Sequence, residues 1–128
     1  MEYLFVLGRI LLGGYFMLSG FNHFKNLKML TDYAQSKKVP MASTIVFLSG
    51  LMMFLGGLGI VLGVYIELSV LLLAAFLLVV SMQMHQYWKV SDQNMRMGEE
   101  INFKKNMALL GAVLMILAIP TPWILSLF

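Results

Sequence analysis

Four apolar stretches, each long enough to cross a bilayer, alternate with short polar connections along this chain. A helix rises about 1.5 Å per residue, so roughly 20 apolar residues span about 30 Å of hydrocarbon. The stretches run from Tyr3 to Phe24, Met41 to Tyr65, Leu68 to Trp88 and Asn106 to Phe128. Backbone in lipid must satisfy its own hydrogen bonds, which predicts an all-α membrane protein built as a four-transmembrane-helix bundle. Little of the 128 residues is left over, so one membrane domain over residues 1–128 is expected.

The connections differ in kind. Between the first two spans, Leu27, Leu30, Tyr33 and Ala34 share one side of a segment whose Lys28, Asp32 and Gln35 lie elsewhere. That pattern predicts a short amphipathic helix over Asn26 to Lys38 lying in the headgroup plane. Pro40 is expected to end it and to open the second span, because proline suits the first turn of a helix. The connection from Gly63 to Glu67 is tight, making the second and third spans an antiparallel hairpin. Ser43, Gly50 and Gly57 recur at a spacing of two helical turns, and Gly59 with Gly63 forms a GxxxG pair. Gly13, Gly14 and Gly20 in the first span, and Ala108, Gly111 and Ala112 in the last, extend this set. Small residues let helix backbones approach closely in lipid, so all are read as packing positions.

Composition agrees with the pattern: 60% of residues are hydrophobic and 12% charged, against about 25% charged in soluble domains. The net charge of +3 does not point to nucleic acid, because its carriers are confined almost wholly to two connections, Arg9 apart. Lys25, Lys28, Lys37 and Lys38 fall in the first, and Lys89, Arg96, Lys104 and Lys105 in the third. The positive-inside rule then places both basic connections in the cytoplasm and both termini outside. The lysines are read as topology signals and anchors to membrane lipid headgroups. Met1-Glu2-Tyr3 is an acidic leader and Arg9 interrupts the apolar core that follows, so the first span is expected to be a retained helix and not a signal peptide. Cysteine is absent, which excludes thiol relays, thiolate metal sites and covalent haem attachment within the chain.

Candidate chemistry lies in the few polar residues at membrane depth. Successive helical residues turn by about 100°, which puts Arg9, Gly13, Phe16, Gly20 and His23 in one stripe. Glu67, Leu71, Ala74, Leu78, Ser81 and His85 form another in the third span. Both spans run the same way, so packing them together would bring Arg9 near Glu67 and His23 near His85. An unpaired arginine within a helix costs at least about 2.5 kcal/mol on insertion scales. Arg9 is therefore expected to turn inward, toward a carboxylate and a polar cavity beside the glycines; snorkelling to the headgroups is the alternative.

An imidazole titrates near neutral pH, which suits proton exchange in a buried pocket. The alternative for His23 and His85 is a satisfied interfacial ring beside Phe24, Tyr87 and Trp88. Paired haem ligation is not expected from two histidines without further signal. Met82-Gln83-Met84-His85 looks like a soft copper site, but residues two apart on a helix diverge by about 200°, so no metal is expected. At the start of the fourth span Glu99, Asn102 and Asn106 share a side, and Glu100, Lys105 and Asn106 are candidates to complete the pocket beside His23 and His85.

Several strings taken together carry a resemblance. They are Gly8-Arg9-Ile10-Leu11-Leu12-Gly13, Leu18-Ser19-Gly20-Phe21-Asn22-His23-Phe24, Tyr33-Ala34-Gln35-Ser36-Lys37-Lys38-Val39-Pro40, then His85, and finally Glu100-Ile101-Asn102-Phe103-Lys104-Lys105-Asn106-Met107-Ala108-Leu109-Leu110-Gly111. In order and spacing they resemble the DoxX family of small bacterial integral membrane proteins. The resemblance implies a four-helix membrane bundle in which Arg9, His23, Pro40, His85, Lys105 and Asn106 hold the characteristic polar positions. It also implies a bacterial plasma membrane, and links to thiosulfate and quinone oxidoreduction or to oxidative-stress complexes.

The expected function follows. An interior pocket lined by Arg9, His23, His85 and Asn106 would receive a small amphipathic molecule such as a quinone, with a histidine exchanging a proton and Asn106 or Lys105 orienting the headgroup. Glu67 and Glu100 complete the ligand-binding candidates. Nothing in the chain carries electrons, so a redox partner subunit would supply them. Two other readings stand beside this one: a non-catalytic scaffold or assembly factor, and a small lipid-binding or transport protein that would work as a homo-oligomer.

Overall fold

The computed structural model describes residues 1–126 and contains five α-helices. They are α1 (Glu2–Lys25), α2 (Leu27–Ser36), α3 (Ala42–Leu62), α4 (Ile66–Met84) and α5 (Gln93–Ile116), with a 3-10 turn at Tyr87–Lys89 before the last. No strand occurs among the described residues. Among the described residues three stretches are long and apolar enough to cross a membrane: Glu2–Lys25, Ala42–Leu62 and Ile66–Lys89. They correspond to the first three expected spans.

The fourth departs from expectation. α5 starts at Gln93, well before Asn106, and stops at Ile116. Asp92 explains the early start, because its carboxylate accepts the backbone N–H groups of Asn94 and Met95 at 2.9 and 3.0 Å. Such an N-cap contributes roughly 1 kcal/mol. Arg96, Glu99, Glu100, Lys104 and Lys105 therefore belong to the helix and are no lead-in to it. Beyond Ile116, Pro120 and Pro122 lack the N–H that a helix interior requires, and residues 117–126 form turns. Leu127 and Phe128, the last residues of the expected span, lie outside the described residues.

α1 and α3 pack antiparallel with glycine facing glycine. A Cβ on Gly13 would lie 2.5 Å from the carbonyl oxygen of Gly57, and one on Gly20 the same distance from that of Gly50. In each helix the two glycines are two turns apart, so both contacts fall on one seam. A seam without side chains brings the backbones close enough for dispersion to act where lipid supplies no hydrophobic drive. Gly59 and Gly63 do not act as a pair. Gly59 faces Ser69 of α4, whereas Gly63 caps α3 at φ 74°, its N–H returning to the Gly59 carbonyl at 2.8 Å. The cap turns the chain sharply into α4 and completes the expected hairpin. Gly8, Gly14 and Gly111 meet nothing within 4 Å and take no part in helix packing.

α1 and α4 run in the same direction, yet α1 packs chiefly on α3, and α4 packs about equally on α3 and α5. The centre is filled by Phe16, Ile60, Leu73, Leu77 and Val113, all at most 1% exposed. α2 is not laid on acyl chains by its apolar face. Leu27, Leu30 and Ala34 pack instead with Val39, Ala42, Val46 and Met84, closing one end of the bundle. Pro40 stands just outside α3, whose N-cap is Met41 at φ 49°.

Replacing Gly57 by alanine drives a Cβ into the Gly13 carbonyl and is expected to cost about 1–3 kcal/mol. Gly14→Ala, in open space, should be neutral or slightly stabilising. Unfolding in detergent by heat or denaturing surfactant measures both, and equal losses would contradict the glycine seam.

Candidate functional site

The polar residues gather at two stations, one at each end of the bundle. The first surrounds Arg9, which is 4% exposed. Its Nε donates to the carbonyl of Ile60 at 3.3 Å and its Nη2 to that of Val61 at 2.9 Å. These are among the last carbonyls of α3, left without intrahelical partners and carrying the negative end of its dipole. The same guanidinium donates to Ile124, through Nη1, and to Leu125, through Nη2 at 3.4 Å. Trp123 and Phe5 cover its faces at 5.3 and 5.6 Å and meet edge to face with centroids 5.0 Å apart. Ser126 donates to the Gly63 carbonyl at 2.8 Å. Arg9 is thus inward, as expected, but Glu67 is exposed and makes no ion pair with it. Carbonyl oxygens and rings occupy the space in which a polar cavity was expected.

The second station joins α2, α4 and α5 at the basic end. Glu99 of α5 accepts the Tyr33 hydroxyl on Oε1 at 2.7 Å, and its Oε2 lies 3.2 Å from His85 Nδ1 and 3.3 Å from Lys37 Nζ. A carboxylate can only accept, so Nδ1 of His85 carries a proton, and in the neutral form of the ring Nε2 holds the lone pair. Burial pushes the Glu99 carboxyl up, but hydrogen bonds from Tyr33, His85 and Lys37 outweigh it and hold it below the usual carboxylate range. Burial and then Glu99 itself push the Tyr33 hydroxyl above the usual phenolic range. Beside this cluster Tyr87, Trp88 and Phe103 stack edge to face, with Arg96 5.9 Å over Tyr87.

The other expected residues lie elsewhere. His23 turns its Nδ1–H to the Ser19 carbonyl of its own helix at 2.9 Å and sets its ring edge against Phe76, centroids 6.0 Å apart. Phe76 precedes His85 by nine residues, about 13 Å along α4, so the two imidazoles are not brought together. Asn106 is buried at 7% exposure and shares with Glu99 and Val113 the face of α5 turned to the centre. Glu100, one residue round the helix, points away to an exposed pair with Lys104 at 2.9 Å. Lys105 borders an apolar groove of about 380 Å³ between α1 and α5, lined by Gly8, Leu11, Leu12, Tyr15 and Leu109. Its charge also reaches His85. No group of three or more histidine or acidic side chains arranged to hold a metal occurs among the described residues.

Sequence reasoning placed Glu99 beside Asn106 but assigned the pocket to Glu100. The buried Asn106 two turns on is the signal that settles between them, since residues seven apart share a face. Tyr33, Lys37 and Trp123 carried no such signal.

A membrane-embedded helical bundle with a carbonyl-bound arginine at one end and a carboxylate-held histidine at the other defines the class. Residues 4–86 match the DoxX family, to which the chain belongs. The matched segment ends just past His85, so Glu99, Lys105 and Asn106 fall beyond it. No match was found among curated proteins or among solved structures.

Lysine offers three donors on one nitrogen and cannot reach carbonyls on both sides as the guanidinium does. Arg9→Lys should therefore destabilise almost as strongly as Arg9→Met, each stranded buried carbonyl costing about 1–3 kcal/mol. Amide hydrogen exchange should accelerate at residues 117–126 in both variants, and protection retained in Arg9→Lys would argue against the carbonyl cage.

Glu99 titrates lower in the folded protein than in the unfolded chain. Its stabilisation is therefore complete above about pH 4.3 and is lost as pH falls through the folded value. Thermal stability should decline on acidification in the wild type and less so in Glu99→Gln; parallel profiles would contradict the cluster.

Proposed function

We propose that this chain is a multi-pass protein of a bacterial plasma membrane that holds a quinone-like amphipath in the α1–α5 groove as a subunit of a membrane redox system. The groove itself carries the reading: its walls are Leu11, Leu12, Tyr15 and Leu109, its floor is opened by Gly8, and Lys105 is its one charge. An isoprenoid tail matches apolar walls open to lipid, and a carbonyl headgroup matches an ammonium donor. α5 is taken as the fourth span, its charged first half emerging with both basic connections on the cytoplasmic side.

A bound quinone would supply two-electron, two-proton chemistry, the electrons coming from a partner subunit because the chain has no cysteine and no flavin motif. Lys105 would orient the headgroup. His85 would exchange protons at Nε2 while Glu99 fixes its tautomer and takes up the charge on the ring. His23, tied to its own helix and packed on Phe76, is left out of that step.

Gly8 has open space around it, so Gly8→Phe should fill the groove without disturbing the fold. Quinone extracted from purified protein and measured by mass spectrometry should fall severalfold in Gly8→Phe and Lys105→Ala. In His85→Ala binding should persist while proton-coupled turnover in membranes slows. Quinone missing from wild-type preparations, or unchanged in Gly8→Phe, would defeat the proposal.

A further inference from the structure

A second hollow of about 440 Å³ lies at the corner where α1 passes into α2, lined by Lys25, Asn26, Lys28, Met29 and Asp32. Its position follows from the fold. Lys25 is the last residue of a membrane-spanning stretch, and α2 is held across the bundle end by Leu27, Leu30 and Ala34. That arrangement turns Lys28, Met29 and Asp32 outward, and all three are exposed. The hollow thus opens at the depth of lipid headgroups.

Its charges are unpaired among the described residues. Lys28 and Asp32 stand one turn apart, the spacing of an intrahelical ion pair, yet neither they nor Lys25 form an ion pair among the described residues. Two ammonium groups and one carboxylate therefore face a common space with their donors and acceptors uncommitted. Met29 adds an apolar side chain, 62% exposed, in the same lining.

We propose that this corner is a binding site for a phospholipid whose headgroup carries both a phosphate and a primary ammonium, namely phosphoethanolamine. Lys25 and Lys28 take the phosphate oxygens by charge-assisted hydrogen bonds. Asp32 takes the N–H donors of the ammonium, and Met29 meets the first methylenes below the glycerol. A phosphoglycerol headgroup offers Asp32 no cation. A phosphocholine headgroup offers a cation without an N–H donor. The pattern of two cations and one anion thus favours the first lipid over both others, whereas lysines acting as a plain basic patch would favour the anionic phosphoglycerol.

The test exposes purified full-length protein in detergent to an equimolar mixture of the three lipids with identical acyl chains, and counts retained lipid by native mass spectrometry. Phosphoethanolamine should be retained about three- to fivefold over phosphoglycerol, the scale of one exposed ion pair. Asp32→Asn should abolish or invert that preference, and Lys25→Gln with Lys28→Gln should lower retention of both. All three positions are exposed, so the variants should fold as the parent does. Equal retention of the three lipids, a wild-type preference for phosphoglycerol, or an unchanged preference in Asp32→Asn would each overturn the site.

Discussion

The charge of Arg9 is met by carbonyl oxygens, and most of the bundle's arrangement at that end follows from this. A guanidinium in an apolar bundle needs several acceptors at once, because desolvation is costly and one neutral acceptor does not offset it. The end of α3 supplies two carbonyls that have no helical partner, and the turns after α5 supply two more. The same residue thereby joins α1, α3 and the C-terminal segment. Gly63 adds to the constraint, since a Cβ there would come within 2.7 Å of Arg9 Nη2. The tight hairpin and the arginine therefore require the same glycine, one for its positive φ and the other for its missing side chain.

Glu99 plays the corresponding part at the opposite end, with a different chemistry. There the linked elements are α2, the connection after it, α4 and α5, and the acceptor is a carboxylate surrounded by a phenol, an ammonium and an imidazole. Between the two stations the interior is mostly apolar, with Ser69, Ser81 and Asn106 as its buried polar side chains. The bundle thus resembles a packed column with polar clasps at its ends, and the apolar groove between α1 and α5 lies on its flank and not in its centre. For function the difference is material. A ligand held as proposed in the α1–α5 groove would enter sideways from the lipid, with Lys105 as the one charged side chain in the lining.

Much of this was legible in the sequence. Long uncharged runs fixed three membrane-crossing helices, and the glycine spacings foresaw close packing, although not that Gly13 and Gly20 would meet Gly57 and Gly50. The pairing of Arg9 with Glu67 failed for an energetic reason. Helix-end carbonyls are charge acceptors that no residue letter records, so a search among side chains overlooks them. The bounds of the fourth stretch differ because apolarity marks where a helix enters lipid and not where it begins; Asp92 marks the beginning of α5. Glu100 belongs to the string that carries the family resemblance, but the buried face on which Asn106 lies belongs to Glu99.

The most direct measurement is a pair of double-mutant cycles on unfolding free energy in detergent, combining Arg9→Met with Glu67→Gln and with Trp123→Leu. Arg9 and Glu67 should be additive within about 0.5 kcal/mol, while Arg9 and Trp123, in direct contact, should couple by more than that. Coupling to Glu67 with none to Trp123 would mean that a carboxylate, and not the carbonyl and aromatic cage, holds the guanidinium.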